Sequence, residues 1–116
     1  VWHPKMDEYM ENLDTTLDEV SERLITLGGT PYSTLSEFIQ HSNIEEKEGK
    51  FSKSVEESLE RVIEIFRYLV KLYQEALDAT DEEGDDVTND IFVGAKADLE
   101  KNIWMLTAEI GQVPGL

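Results

Sequence analysis

The sequence predicts an all-α bundle, and three observations carry that expectation. Three long stretches repeat apolar residues at spacings of three and four, glycines stand where each should stop, and no stretch alternates apolar with polar residues as a strand would. No internal repeat breaks the pattern.

In the first stretch Met6, Met10, Leu13, Leu17, Val20, Leu24 and Leu27 form the seam of an amphipathic helix spanning about Pro4 to Leu27. Pro4 suits its first turn, Asp7 and Glu8 complement the N-terminal end of its dipole, and Gly28-Gly29 supplies the left-handed stop. After the turn at Thr30-Pro31-Tyr32-Ser33, the pair Thr34 and Glu37 has capping-box spacing for a short helix holding Leu35, Phe38 and Ile39. The charged stretch from Asn43 to Lys53, with Gly49, reads as a surface loop that returns the chain across the bundle.

A second long seam follows through Val55, Leu59, Val62, Phe66, Leu69, Tyr73 and Ala76, and ends near Gly84. Ile63, Ile65, Val70, Leu72 and Leu77 broaden it, so this helix should touch several neighbours, a fourth wall outside the given sequence among them. The third seam is Val87, Ile91, Ala95, Leu99, Ile103, Leu106 and Ile110, bounded by Gly111 and Pro114.

A chain of 116 residues, 40% of them hydrophobic, is long enough for one domain with a core and too short for two ordinary ones. Its 26 acidic and 10 basic residues give a formal charge of −16, which repels duplex DNA and anionic membranes and attracts cations. Without cysteine there is neither a disulfide framework nor a thiolate metal site, and the composition is compatible with a reducing, cytoplasmic setting. No apolar run reaches the roughly 18 to 20 residues of a membrane span. The chain opens at Val1 rather than at a methionine, and further sequence upstream is expected.

The chemistry concentrates on the first helix. At about 100° per residue, with His3 set to zero, Asp7 falls near 40°, Asp18 near 60° and Glu22 near 100°, while the seam occupies roughly 240° to 340°. Imidazole nitrogen and carboxylate oxygen suit iron or manganese. Asp7 and Asp18, however, are separated by about 16 Å of helix, whereas metal–ligand bonds are about 2 Å. One chain cannot close such a site. Two of these helices packed antiparallel across a twofold axis would bring His3 and Asp7 of one copy against Asp18 and Glu22 of the other. Spacing alone leaves a second explanation open, a solvated acidic face that also carries Glu11 and Asp14.

The run Leu17-Asp18-Glu19-Val20-Ser21-Glu22-Arg23-Leu24, followed by Gly28-Gly29 and Pro31, resembles the signature of the Dps family of mini-ferritins. Similar agreement extends through His3-Pro4-Lys5-Met6-Asp7, Pro31-Tyr32-Ser33-Thr34-Leu35, Thr80-Asp81, Thr88-Asn89-Asp90 and Ile103-Trp104-Met105, covering essentially the whole chain. The resemblance implies a ferritin-like four-helix bundle with a short central crossover helix, of which three long helices are present in this sequence, as one domain over 1–116 that is incomplete at its N-terminus. It also implies a shell of twelve subunits that oxidises ferrous iron with hydrogen peroxide at dimer interfaces and stores the ferric product. His3, Asp7, Asp18 and Glu22 match the family's ferroxidase ligands, shared across the twofold, and Trp104 matches a tryptophan of its last helix. The family's preceding helix, with a further histidine in a His-Trp pair, is absent from this sequence, and Trp2 stands where a smaller aliphatic residue is usual.

The acidic segment from Thr80 to Asp90 fails as a calcium loop. With Gly84 at the sixth position, the first would be Ala79 and the twelfth Asp90, so the first carboxylate and the terminal glutamate are both missing. A solvated turn explains the glycine; the resemblance adds that Asp81, Asp86 and Asp90 match carboxylates lining the family's threefold pores, which pass iron inward. His41 reads as a surface histidine, and Tyr32 and Tyr73 as packing residues. No Ser-His-Asp arrangement, phosphate-binding glycine loop or basic aromatic patch appears. The expected function is iron storage and ferroxidase activity against oxidative stress; the competing class is a non-enzymatic acidic helical interaction domain.

Overall fold

The computed structural model of the chain describes residues 2–45 and 54–116, and of Trp2 and His3 the backbone only. Most of the loop expected over 43–53 therefore lies outside the described residues. Four helices follow in order: α1 (Trp2–Thr26), α2 (Leu35–His41), α3 (Val55–Glu82) and α4 (Asp86–Glu109). There is no strand among the described residues, and the all-α reading holds.

The stops work as the glycines foretell. After α1 the Gly29 amide donates to the Leu24 carbonyl and the Gly28 amide to Ile25, with Gly28 at φ +89°, satisfying carbonyls that the helix itself leaves open. At the end of α3 the Asp85 amide donates to Thr80 and Gly84 turns at φ +70°. The Thr34–Glu37 capping box at α2 is formed in both directions, by the Glu37 amide on Thr34 Oγ1 and the Thr34 amide on Glu37 Oε1. Thr34 is also the first cause that holds the Glu37 carboxyl below its usual pKa. α1 is already helical at Trp2, two residues before the expected Pro4, and the first turn of Trp2–Thr26 holds no acid, Asp7 and Glu8 lying in the turn that follows.

α3 and α4 form a hairpin, and α1 lies along α4. The core is Leu59, Ile63 and Phe66 of α3, Leu99, Ile103 and Leu106 of α4, and Tyr9 of α1, whose ring meets Phe66 edge-on at 6.2 Å. Ile63, read from sequence as a broadening residue, is a full core member at 2% exposure. Tyr73 of α3 packs on Phe92 of α4; burial raises its pKa, against a hydrogen bond with Thr16 of α1.

Each seam is buried only in part. On α1, Met6, Leu13 and Val20 are half-buried, whereas Met10, Leu17 and Leu24 are 42%, 54% and 39% exposed. Val55 and Val87, which open the other two seams, are exposed as well. The reason is angular: α4 takes the Tyr9–Leu13 side of α1, and nothing described covers the adjoining Met10–Leu17–Leu24 side. Among the described residues α2 packs against no other helix, and its Leu35, Phe38 and Ile39 face outward.

Candidate metal centre

α1 carries the candidate ligands on an unbroken helical run of 25 residues. Asp7, Asp18 and Glu22 are all exposed. Among the described residues none of their side chains enters an ion pair or a side-chain hydrogen bond. His3 lies in the first turn of the same helix, with its side chain outside the described residues. Free carboxylates on one flank are competent oxygen donors for a divalent cation, because no bound partner must be displaced first. Within one chain, though, no three candidate ligands come together among the described residues, which agrees with the distance argument from helical rise.

Asp81 sits in the last turn of α3, Asp86 opens α4, and Asp90 follows one turn later; all three are exposed. They do not converge. Asp90 lines a groove of about 270 Å³ between α1 and α4, in the company of Asn12, Glu19 and Asp98, whereas Asp81 and Asp86 flank the Gly84 turn.

Sequence reasoning missed what fixes that turn. Asp85 caps α4, accepting from the Thr88 amide, and its Oδ1 also takes a hydrogen bond from Arg23 Nη2 at 2.9 Å. Arg23 Nε donates to Thr88 Oγ1 at 2.9 Å, and the Thr88 hydroxyl donates to Asp85 Oδ2, closing a ring of three side chains. These bonds hold the Asp85 carboxyl below its usual pKa, the Thr88 hydroxyl first, then the Thr88 amide and Arg23. Asn89 extends the network by donating to the Leu77 carbonyl and to Thr80 Oγ1. The available signal was Asp85 three residues before Thr88, a capping spacing. Tyr9 was missed too: it is 1% exposed and its hydroxyl has no partner among the described residues, and burial is the main cause that raises its pKa.

His41 stacks on Tyr32 with ring centroids 4.3 Å apart and planes within 4°. That is a surface contact, as expected of His41; Tyr32, expected to pack, is 49% exposed and packs only on that ring among the stacked pairs described. Trp104 lies on the outer side of α4 at 55% exposure.

Comparison with known proteins now gives these features a context. The family described as a ferritin-like domain matches residues 1–116. The "DNA protection during starvation protein" of Streptococcus suis is 61% identical over all of this chain, which covers 67% of that protein. Its namesake from Listeria innocua is 38% identical, over 97% of this chain and 72% of the relative. The structure of Dps from Listeria monocytogenes superposes with a TM-score of 0.92 at 38% identity, over 97% of this chain and 73% of that one. A structure of Listeria innocua Dps soaked with cobalt gives the same TM-score and identity, over 97% and 72%. The chain belongs to the Dps mini-ferritins of the ferritin-like family. Among the described residues no helix is long and apolar enough to cross a membrane.

Proposed function

We propose that this protein binds ferrous iron, oxidises it with hydrogen peroxide at sites shared between two subunits, and stores the ferric product inside a closed shell. The observation that carries this reading is the flank of α1, where Asp7, Asp18 and Glu22 stand exposed and unengaged on a helix of the Dps fold. Iron is the substrate here, and the carboxylates are its binding groups. Oxygen donors favour the ferric state as charge develops, and His3 adds a nitrogen donor. Two ferrous ions and two protons reduce one peroxide to two waters, so both reactants of hydroxyl-radical chemistry disappear together.

Because one chain spreads its ligands over about 16 Å, the site needs a second copy in antiparallel contact. The open Met10–Leu17–Leu24 side of α1 and the outward α2 supply apolar surface for subunit contacts, and the resemblance implies twelve subunits. Asp81, Asp86 and Asp90 serve as the carboxylates that concentrate iron for passage into the shell. With a charge of −16 the protein protects by removing iron and peroxide rather than by coating DNA, and it works in the cytoplasm.

The test is anaerobic ferrous binding followed by peroxide-driven oxidation, in the protein and in the Asp18→Ala, Glu22→Ala double variant. The double variant should lose both tight binding and rapid oxidation. Undiminished oxidation would defeat the assignment and favour an acidic helical interaction domain; a monomer in solution would defeat the shared site.

A further inference from the structure

The core grips α1 by its first half. Tyr9 belongs to the core cluster and Met6 and Leu13 pack against it, whereas Asp18 and Glu22 lie further on, Glu22 about 13.5 Å of helical rise past Leu13. Apolar packing is non-directional, so it fixes where a helix lies better than how far it is turned about its own axis. That turn decides where a ligand points. A helix with its side chains is about 5 to 6 Å in radius, so a rotation of about 10° carries a surface carboxylate by about 1 Å, against about 0.2 Å of tolerance in a metal–ligand bond.

The second half of α1 is held by directional contacts. Thr16 hydrogen-bonds with Tyr73 of α3, and Arg23, the residue after Glu22, meets α4 at two points, Nη2 on Asp85 Oδ1 and Nε on Thr88 Oγ1, both at 2.9 Å. A guanidinium is planar and its donors form a rigid fork, so two contacts fix its plane. Its partners are fixed in turn: Asp85 accepts from the Thr88 amide and hydroxyl, and the neighbouring Asn89 is tied to the Leu77 carbonyl and to Thr80 of α3.

We propose that Arg23 and Thr88 are positioning residues of the iron site. Through the ring with Asp85 they set the rotation of the second half of α1, and so the direction in which Asp18 and Glu22 project. This rests on those two carboxylates being iron ligands. Neither Arg23 nor Thr88 touches the metal; both act through the helix. Asp7 lies about 24 Å of rise before Arg23, on the half that the core holds. In an antiparallel pair each site draws one half from each copy, so loss of the ring loosens one side of both sites and leaves the number of ligands unchanged.

The test is anaerobic ferrous titration of the assembled protein, with the absorption bands of bound cobalt(II) as the probe of ligand geometry. Thr88→Val removes the hydroxyl and keeps the branched shape and the amide that Asp85 caps, Thr88→Ser restores the hydroxyl, and Arg23→Lys keeps the charge without the fork. Groups that orient metal ligands change metal affinity by about 10-fold to 100-fold when removed. Thr88→Val and Arg23→Lys should each weaken ferrous binding about tenfold or more at unchanged stoichiometry and shift the cobalt bands, while Thr88→Ser stays close to the parent protein. A lower melting temperature with affinity and cobalt bands unchanged overturns the positioning role and leaves the iron site standing. Equal weakening in Thr88→Val and Thr88→Ser overturns the ring as its cause. Undiminished ferrous binding in the Asp18→Ala, Glu22→Ala double variant overturns instead the iron site on which the proposal rests.

Discussion

Arg23 reaches from α1 to Asp85 at the start of α4, Nη2 to Oδ1 at 2.9 Å, with both side chains about one-fifth exposed. That contact ties the helix of the candidate iron ligands to the turn of the candidate pore carboxylates, because Arg23 directly follows Glu22 and Asp85 directly precedes Asp86. The ring through Thr88 makes it more than a surface ion pair: each member fixes the geometry of the other two, so effects of removing them should not add. Arg23→Ala and Asp85→Asn should each lower the melting temperature, and the double variant should fall by clearly less than the sum. Additive losses in a double-mutant cycle would mean the ring does not act as a unit.

The same contact has a defined pH dependence. Hydrogen bonds from Thr88 and the charge of Arg23 hold the folded Asp85 pKa below the unfolded value of about 3.9. A depressed carboxyl stabilises the fold above its unfolded pKa and ceases to do so as pH falls through the folded one. The gap in melting temperature between the protein and Asp85→Asn should be full at neutral pH, shrink below about pH 4 and close in stronger acid. A gap that widened on acidification would contradict the sign.

Tyr9 offers a test with an unusual direction. Its ring is buried against Phe66, but its hydroxyl is buried without a partner among the described residues. Leaving a polar group unpaired costs about 1–3 kcal/mol, so Tyr9→Phe should be neutral or stabilise by up to about 1 kcal/mol in urea unfolding. Tyr9→Ala should cost about 3–5 kcal/mol. A clear loss in Tyr9→Phe would reveal a partner for the hydroxyl in the assembled protein.

How much of this was legible in advance follows from what a sequence encodes locally. Seams, glycine stops and the Thr34–Glu37 box depend on residues within one or two turns, and they were read correctly. The Arg23–Asp85 contact joins residues 62 apart, and the burial of Tyr9 depends on which side of α1 meets α4. Periodicity marks an apolar arc without saying which half of it a given neighbour covers, so Leu17 and Leu13 looked alike and are not. The candidate iron ligands were legible as types and spacing, and the resemblance selected them from the other acids on the same flank.

That difference along the arc is measurable. Leu106 is fully buried, and Leu106→Ala should cost about 2–5 kcal/mol by cavity formation. Leu17 is 54% exposed, so within one chain Leu17→Ser should cost less than about 0.5 kcal/mol. If that side of α1 lies in a subunit contact, the same change should raise the dissociation constant of the assembly by tenfold or more, read by sedimentation over a dilution series. Unchanged assembly would place the contact elsewhere.

The carboxylates around the Gly84 turn make a separate kinetic prediction, which depends on their lining a pore. Negative rings raise local cation concentration and accelerate arrival by about 10-fold to 1,000-fold at low ionic strength, and salt screens that effect. Asp81→Asn with Asp86→Asn should therefore slow iron uptake by about tenfold or more at low salt, and the difference should narrow as salt is added. Anaerobic iron-binding stoichiometry should stay as it was, because the α1 ligands are untouched. If uptake at low salt were unchanged, iron would have to reach the α1 flank by another path, and the acids of the turn would be left as a solvated cap whose only fixed member is Asp85.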